Sequence, residues 1–309
     1  MRNQGYFYYI EWRFRKYIRK ICKTLTLNKY RREYIADREL VGAEISKLIQ
    51  SGKPFMAARL GANESFTMRT FEFSDEKRKK KAAEQLCQCA GFFPEDFKEI
   101  ENFHHQMIEA FSDVDILGVL DNPAEGYFVN KYTPKDCKVT VLYYFECFFS
   151  KKPWSSLLKG KKVLIVHPFY ETIIEQYKKR NEIFPGKEIL PEFELVPYKA
   201  VQTIAGTKDF RFETWFQALD TMTEEIKGLD FDIALLGCGA YGFPLAARIK
   251  QMGKQAIHIG GGLQLFFGIK GKRWDDMDQF SKLYNENWVY PRIDERPQEA
   301  EKVENACYW

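Results

Sequence analysis

The sequence predicts an α/β fold, a Rossmann-like and mostly parallel sheet with helices on both faces. Short apolar runs alternate with helix-length segments, which implies parallel crossovers. Most of those runs end in glycine-rich or polar turns. A hydrophobic content of 45%, with 26 Phe, 17 Tyr and 6 Trp among 309 residues, is ample for a core and excludes disorder as the main state.

In chain order, residues 38–50 read as a helix, 55–60 as a strand, and Asn63 onward as a helix that Asn63 caps. The Lys-rich stretch 77–90 reads as a solvated helix. Apolar strands follow at 116–120, 139–145, 163–166, 195–197, 233–236 and 256–259, with helices at 171–181, 211–227 and 243–252. Residues 36–309 form the α/β domain, and the Pro- and Lys-bearing stretch 150–160 is where its two halves would meet.

Residues 1–35 are a basic, aromatic N-terminal segment. They hold ten Lys or Arg against Glu11 and Glu33, a local charge of +8 within a net +4, so the remainder is −4. Such local charge argues against a nucleic-acid footprint, which needs basic residues spread over the folded face. Ile10, Phe14, Tyr17 and Ile21 share one helical face, with Arg13, Lys16, Arg19, Lys20 and Lys23 on the others. This basic amphipathic helix would lie on an anionic membrane surface, or else dock on its own domain with a solvated basic face. No apolar run is long enough to span a membrane and no signal-peptide pattern opens the chain, so the expected location is cytoplasmic, peripheral on the inner face of the membrane if the helix binds lipid. The seven cysteines are odd in number and scattered, with only Cys87 and Cys89 close together, and read mostly as buried free thiols.

In parallel sheets ligands sit beyond the carboxyl ends of the strands. That rule selects Arg59-Leu60-Gly61-Ala62-Asn63-Glu64, Asp121-Asn122, His167-Pro168-Phe169, Gly237 to Gly242, and Gly260-Gly261-Gly262. The run from Gly237 through Gly239 and Tyr241 to Gly242 spells G-x-G-x-x-G between a strand and a helix, a phosphate cradle at a helix N-terminus. A side chain at Gly239 would occupy the phosphate's position. As a dinucleotide fingerprint the motif lacks its ribose-binding acid, because the next strand ends in His258 and three glycines. Lys272 and Arg273 could complete a diphosphate clamp or be solvated surface cations. His167 and His258 read either as hydrogen-bonded structural residues or as chemical groups, and His104 and His105 as surface residues. P-loop, serine-hydrolase and metalloprotease signatures are absent.

The order R-L-G-x-x-E after an early strand, then L-G-x-x-A-x-x-x-P-L-A-x-x-I-K-x-x-G-K-Q-A-I-x-I-G, resembles the GT-D type glycosyltransferases over about residues 40–270. These are bacterial enzymes that use nucleotide-sugar donors in surface-glycan assembly. The resemblance implies a nucleotide diphosphate sugar, a UDP-sugar first, as donor. It also implies a glycan or lipid-linked acceptor and a divalent cation, Mn or Mg, held by an Asp-x-Glu pair within R-x-G-D-x-E. Arg59, Gly61 and Glu64 match that motif, making Glu64 the metal and donor-side carboxylate, but its Asp falls on Ala62, where Asn63 or Asp121 would have to supply the missing oxygen. Gly237, Ala246, Gly253, Ala256, Ile259 and Gly260 match the second motif, with His258 where the family often has an acid. Asp121 is the expected base, and Arg59, Lys272, Arg273 and the glycine amides would stabilise the leaving diphosphate. The rival readings are a Rossmann-type oxidoreductase or methyltransferase, and a non-catalytic membrane-surface protein.

Overall fold

Side-chain capping explains where four of the helices begin. The computed structural model describes residues 2–21 and 29–309 and, within 2–21, the side chains of 5–17. After α1 (Arg2–Ile21) and β1 (Glu33–Ile35), Asp37 accepts the Leu40 amide to start α2 (Arg38–Ser51), and Gly52 ends it in the left-handed conformation. β2 (Phe55–Arg59) leads into α3 (Ala62–Phe73). Asp75 caps α4 (Glu76–Ala90) and Asp96 caps α5 (Phe97–Phe111). β3 (Ile116–Val119), α6 (Glu125–Tyr132) and β4 (Lys138–Val141) complete the first half. The second half holds β5 (Lys162–His167), α7 (Tyr170–Tyr177), α8 (Arg180–Ile183) and β6 (Glu194–Lys199), then α9 (Trp215–Lys227) and β7 (Ile233–Leu236). It continues with α10 (Gly242–Gln251), β8 (Gln255–His258), α11 (Leu263–Phe266), α12 (Lys272–Asp275) and α13 (Asp278–Ser281).

The eight strands form one sheet in the order β1-β4-β3-β2-β8-β7-β5-β6, and every pairing is parallel. The first four strands fill one half and the last four the other, so the halves meet where β2 pairs with β8. Residues 150–160 lie on the connection between them. Because strand side chains alternate, Met56, Ala58, Leu164, Val166, Ala234 and Leu236 face one core with α5, α9 and α10. Phe55, Ala57, Val163, Ile165, Ile233 and Leu235 face a second core with α2 and the C-terminal segment. Both faces are thus covered, as an all-parallel sheet requires.

Several boundaries differ from the sequence reading. The predicted strand 139–145 stops at Val141, and Leu142–Phe145 turns as a short 3₁₀ helix, although its aromatic residues favour strands. The helix expected from 211 begins at Trp215, where Thr214 accepts the Gln217 amide. The segment 1–35 contributes β1 to the sheet edge. His104, read as a surface residue, is buried beside Glu72 at 3.1 Å, because that position on α5 faces the core. Among the described residues, Cys137, Cys147, Cys238 and Cys307 are buried free thiols and Cys87 and Cys89 are partly covered, and burial pushes all six up. Cys22 lies outside the described residues.

The turn after β3 is stapled by Glu125, which is fully buried. Its carboxylate accepts the Asn122 amide at 2.8 Å and the Tyr30 hydroxyl at 3.3 Å, with Lys29 Nζ 3.9 Å away. Desolvation outweighs these contacts and pushes Glu125 up to about 7 from 4.5. The folded state therefore keeps a proton that the unfolded chain releases, and this group's contribution falls as pH rises from 4.5 through about 7. Glu125→Gln should remove that loss. Between about pH 5 and about pH 8 its unfolding free energy should decline less than the parent's, by on the order of 2–3 kcal/mol, read from denaturant midpoints.

Candidate functional site

The carboxyl ends of β2 and β8 open on a cleft of about 630 Å³ at the point where the halves of the sheet meet. That volume lies in the range of small-ligand pockets, and the position is the topological switch point where parallel sheets bind ligands. The turns after β2, β5, β7 and β8 line it, together with Leu142, Tyr143, Glu146 and the C-terminal residues Val303, Glu304, Tyr308 and Trp309.

Arg59 ends β2 and donates to Glu146 across 2.9 Å, with the two side chains only 15% and 3% exposed. Burial raises the Glu146 carboxyl, and Arg59 and then Arg38 pull it back down. The ion pair lies directly against Gly262, where a Cβ would meet Glu146 Oε1 at 2.6 Å and Arg59 Nη1 at 3.1 Å. Gly261 lies under the Tyr308 ring, 2.4 Å from the place a Cβ would take, and Gly260 adopts a positive φ of 66°. Gly261 and Gly262 are thus needed for close approach to side chains that line the cleft, and Gly260 for its left-handed backbone.

Glu64 sits in the first turn of α3 and folds back over the helix start. A Cβ on Gly61 would lie 2.0 Å from its Oε2, and its carboxylate accepts its own backbone N–H. Burial raises this carboxyl above the usual range despite that bond. Asn63 is not the cap, because α3 begins one residue earlier at Ala62 after Gly61. Instead its Oδ1 accepts from Gln85 at 2.8 Å.

Each glycine of G-x-G-x-x-G has a packing reason. Gly237 lies against the His167 ring, Gly242 against the His258 ring, and Gly239, at φ 59°, faces the Ala90 carbonyl where a Cβ would approach to 3.2 Å. His167 Nδ1 accepts the Phe169 amide at 3.0 Å, which leaves its proton on Nε2. His258 Nδ1 lies 3.3 Å from the Leu236 carbonyl and so carries the proton. Burial pushes both rings down to about 3, and Arg59 adds to the effect on His258. Both imidazoles are therefore neutral near pH 7. Tyr241 lines the cleft but is stacked on Trp215 at 4.9 Å.

Arg273 reaches the cleft from α12. It pairs with Glu304 at 2.6 Å, donates to the Tyr308 hydroxyl at 3.1 Å and lies over the Tyr308 ring at 4.6 Å. Lys272, its expected partner in a clamp, is exposed and does not line the cleft, since adjacent helical residues point apart. Asp121 is also outside the lining. It follows Leu120 at φ 63°, 2.6 Å from Lys29 and 3.7 Å from Arg15, both contributed by the N-terminal segment. The structure therefore brings Arg59, Gly61, Asn63, Glu64, His167, Gly237, Gly239, Tyr241, His258, Gly260, Gly261, Gly262 and Arg273 to one cleft and leaves Asp121 and Lys272 out.

The residues present do not fit a divalent cation. The Ala62 side chain carries no oxygen, Glu64 is turned onto its own helix start, and the cleft carboxylates Glu146 and Glu304 are paired with arginines. No group of three or more metal-ligating side chains occurs among the described residues. Glu146 directly follows the run read as a strand at 139–145, so the strand-end rule applied to that run would have found it. No local signal marks Glu304 or Tyr308.

A family model described as the GT-D fold-like domain matches residues 36–266. No curated protein and no solved structure matches the chain.

Proposed function

The chain belongs to the GT-D-like family, and on that premise we propose that it is a glycosyltransferase whose cleft takes a nucleotide diphosphate sugar, a UDP-sugar first. The observation that carries the reading is the meeting of two distant segments, Arg59 to Glu64 and Gly237 to Gly262, at one switch-point cleft. In transfer the acceptor hydroxyl oxygen bonds to the anomeric carbon while the bond to the diphosphate oxygen breaks. Arg59 and Arg273 oppose the charge that grows on the departing diphosphate, and amides of the Gly260 turn can approach it closely. Glu64, held partly desolvated with a raised affinity for protons, takes the proton released by the acceptor. The acceptor belongs to surface-glycan assembly, as a glycan or a lipid-linked sugar, at the cytoplasmic face.

Thermal melting with UDP, GDP, TDP, NAD and S-adenosylmethionine tests the donor class. A diphosphate at about 100 times its dissociation constant adds about 2.7 kcal/mol of stability, whereas NAD and S-adenosylmethionine should add none. A shift with NAD or S-adenosylmethionine and none with the diphosphates would replace this reading with the dinucleotide or methyl-transfer one.

A further inference from the structure

The helix α1 has two unlike faces. Its inner face packs on the domain. A Cβ on Gly5 would lie 2.8 Å from Phe73 Cβ, Tyr8 meets the rings of Phe73 and Tyr127 at 5.2 and 5.8 Å, and Arg15 is buried beside Asp121. The opposite face leaves large apolar groups in the open: Tyr6 is 68% exposed, Phe7 63%, Ile10 48%, Phe14 60% and Tyr17 64%. At about 100° per residue these five fall within a stripe roughly 100° wide, and the exposed cations Arg13 and Lys16 follow along one flank. Ile21, expected on the same stripe, lies outside the described side chains.

From this we infer that α1 is a membrane-docking surface that lies flat on anionic lipid, with Phe7, Ile10 and Phe14 entering the headgroup boundary and Arg13 and Lys16 meeting lipid phosphates. Tyr, Phe and Ile beside Lys and Arg are the composition that settles at a bilayer interface. The charge excludes a second copy as the better occupant. Glu11 is the helix's one acid and faces Arg15, so two copies joined through this stripe would bring cations against cations. The same helix touches Asp121, the residue after Leu120, which lines the cleft, so docking holds lipid on the side of a loop that borders the site.

Deleting residues 1–35 is a poor test, because it would remove Tyr30 from the core and β1 from the sheet. Point substitution of exposed residues avoids that. The full-length protein and its Phe7→Ser/Ile10→Ser/Phe14→Ser variant are sedimented with vesicles of phosphatidylcholine alone or with one quarter phosphatidylglycerol, beside melting curves and sizing of both proteins. The parent should pellet with the anionic vesicles and not with the neutral ones. The triple variant should melt with the parent and bind at least about 10-fold more weakly. A second variant, Arg13→Glu/Lys16→Glu, should lose binding to a similar degree, as should the parent when salt rises from about 0.1 M to about 1 M. A parent that ignores anionic vesicles, binds neutral ones equally, or binds no better than both variants would overturn the inference. So would a dimer that the triple variant abolishes.

Discussion

Glu64→Gln is expected to lower sugar transfer by at least about 100-fold, the usual worth of a positioned proton acceptor, while the protein still folds. The carboxylate lies over Gly61 at the start of α3, and the isosteric amide keeps both the volume there and an oxygen for the residue's own N–H. It cannot accept the acceptor's proton. Because burial raises the Glu64 carboxyl, the parent's rate should also climb with pH as that group ionises, at a pH above the ordinary range for glutamate. The variant should keep no such dependence. Transfer assays with a matched melting curve check both points, and a parental rate in the variant would reduce Glu64 to a helix-start residue.

The second large effect is on stability. Arg59→Ala should destabilise the protein by about 3 kcal/mol, because it strands the Glu146 carboxylate in a site only 3% exposed. Arg38 remains close enough to soften the loss, since it donates to the Glu146 backbone carbonyl at 3.3 Å and its charge lowers that carboxyl. Adding Glu146→Gln to Arg59→Ala should restore more than half of what was lost, by removing the stranded charge. Denaturant unfolding of the parent, both single variants and the double variant gives the coupling directly. Additive losses would show that the two side chains act independently despite their contact.

The frame of this site was legible from strand ends. Each apolar run that stops at a glycine or a polar residue marks a loop at the open edge of the sheet, and five such loops were found by that rule alone. What failed was side-chain destination. Asp121 obeys the rule yet is drawn aside by Lys29 and Arg15, and nothing in its own neighbourhood announces contact with residues about a hundred positions earlier. Lys272 and Arg273 are chemically alike and adjacent, and only the helical turn of α12 sends one to solvent and the other to Tyr308. Glu146 follows directly on the run 139–145, but its meeting with Arg59 depends on a bend at Leu142–Phe145 that the strand-like aromatics Tyr143, Tyr144 and Phe145 conceal. β1 is three residues with a charged start, too short for any periodic signal.

The pairing of β2 with β8 also bears on how the protein is made. Residues 55–58 find their partner at 255–258, so the middle of the sheet joins segments about two hundred positions apart. At translation speeds of about 5–20 residues per second, β2 leaves the ribosome roughly 10–40 s before β8. In that interval one edge of β2, with Phe55, Met56 and Ala57 on its two faces, has no neighbour on the side that β8 will fill. The growing chain thus carries an unpaired, apolar parallel edge, the kind of surface that chaperones cover and that sticks to like edges.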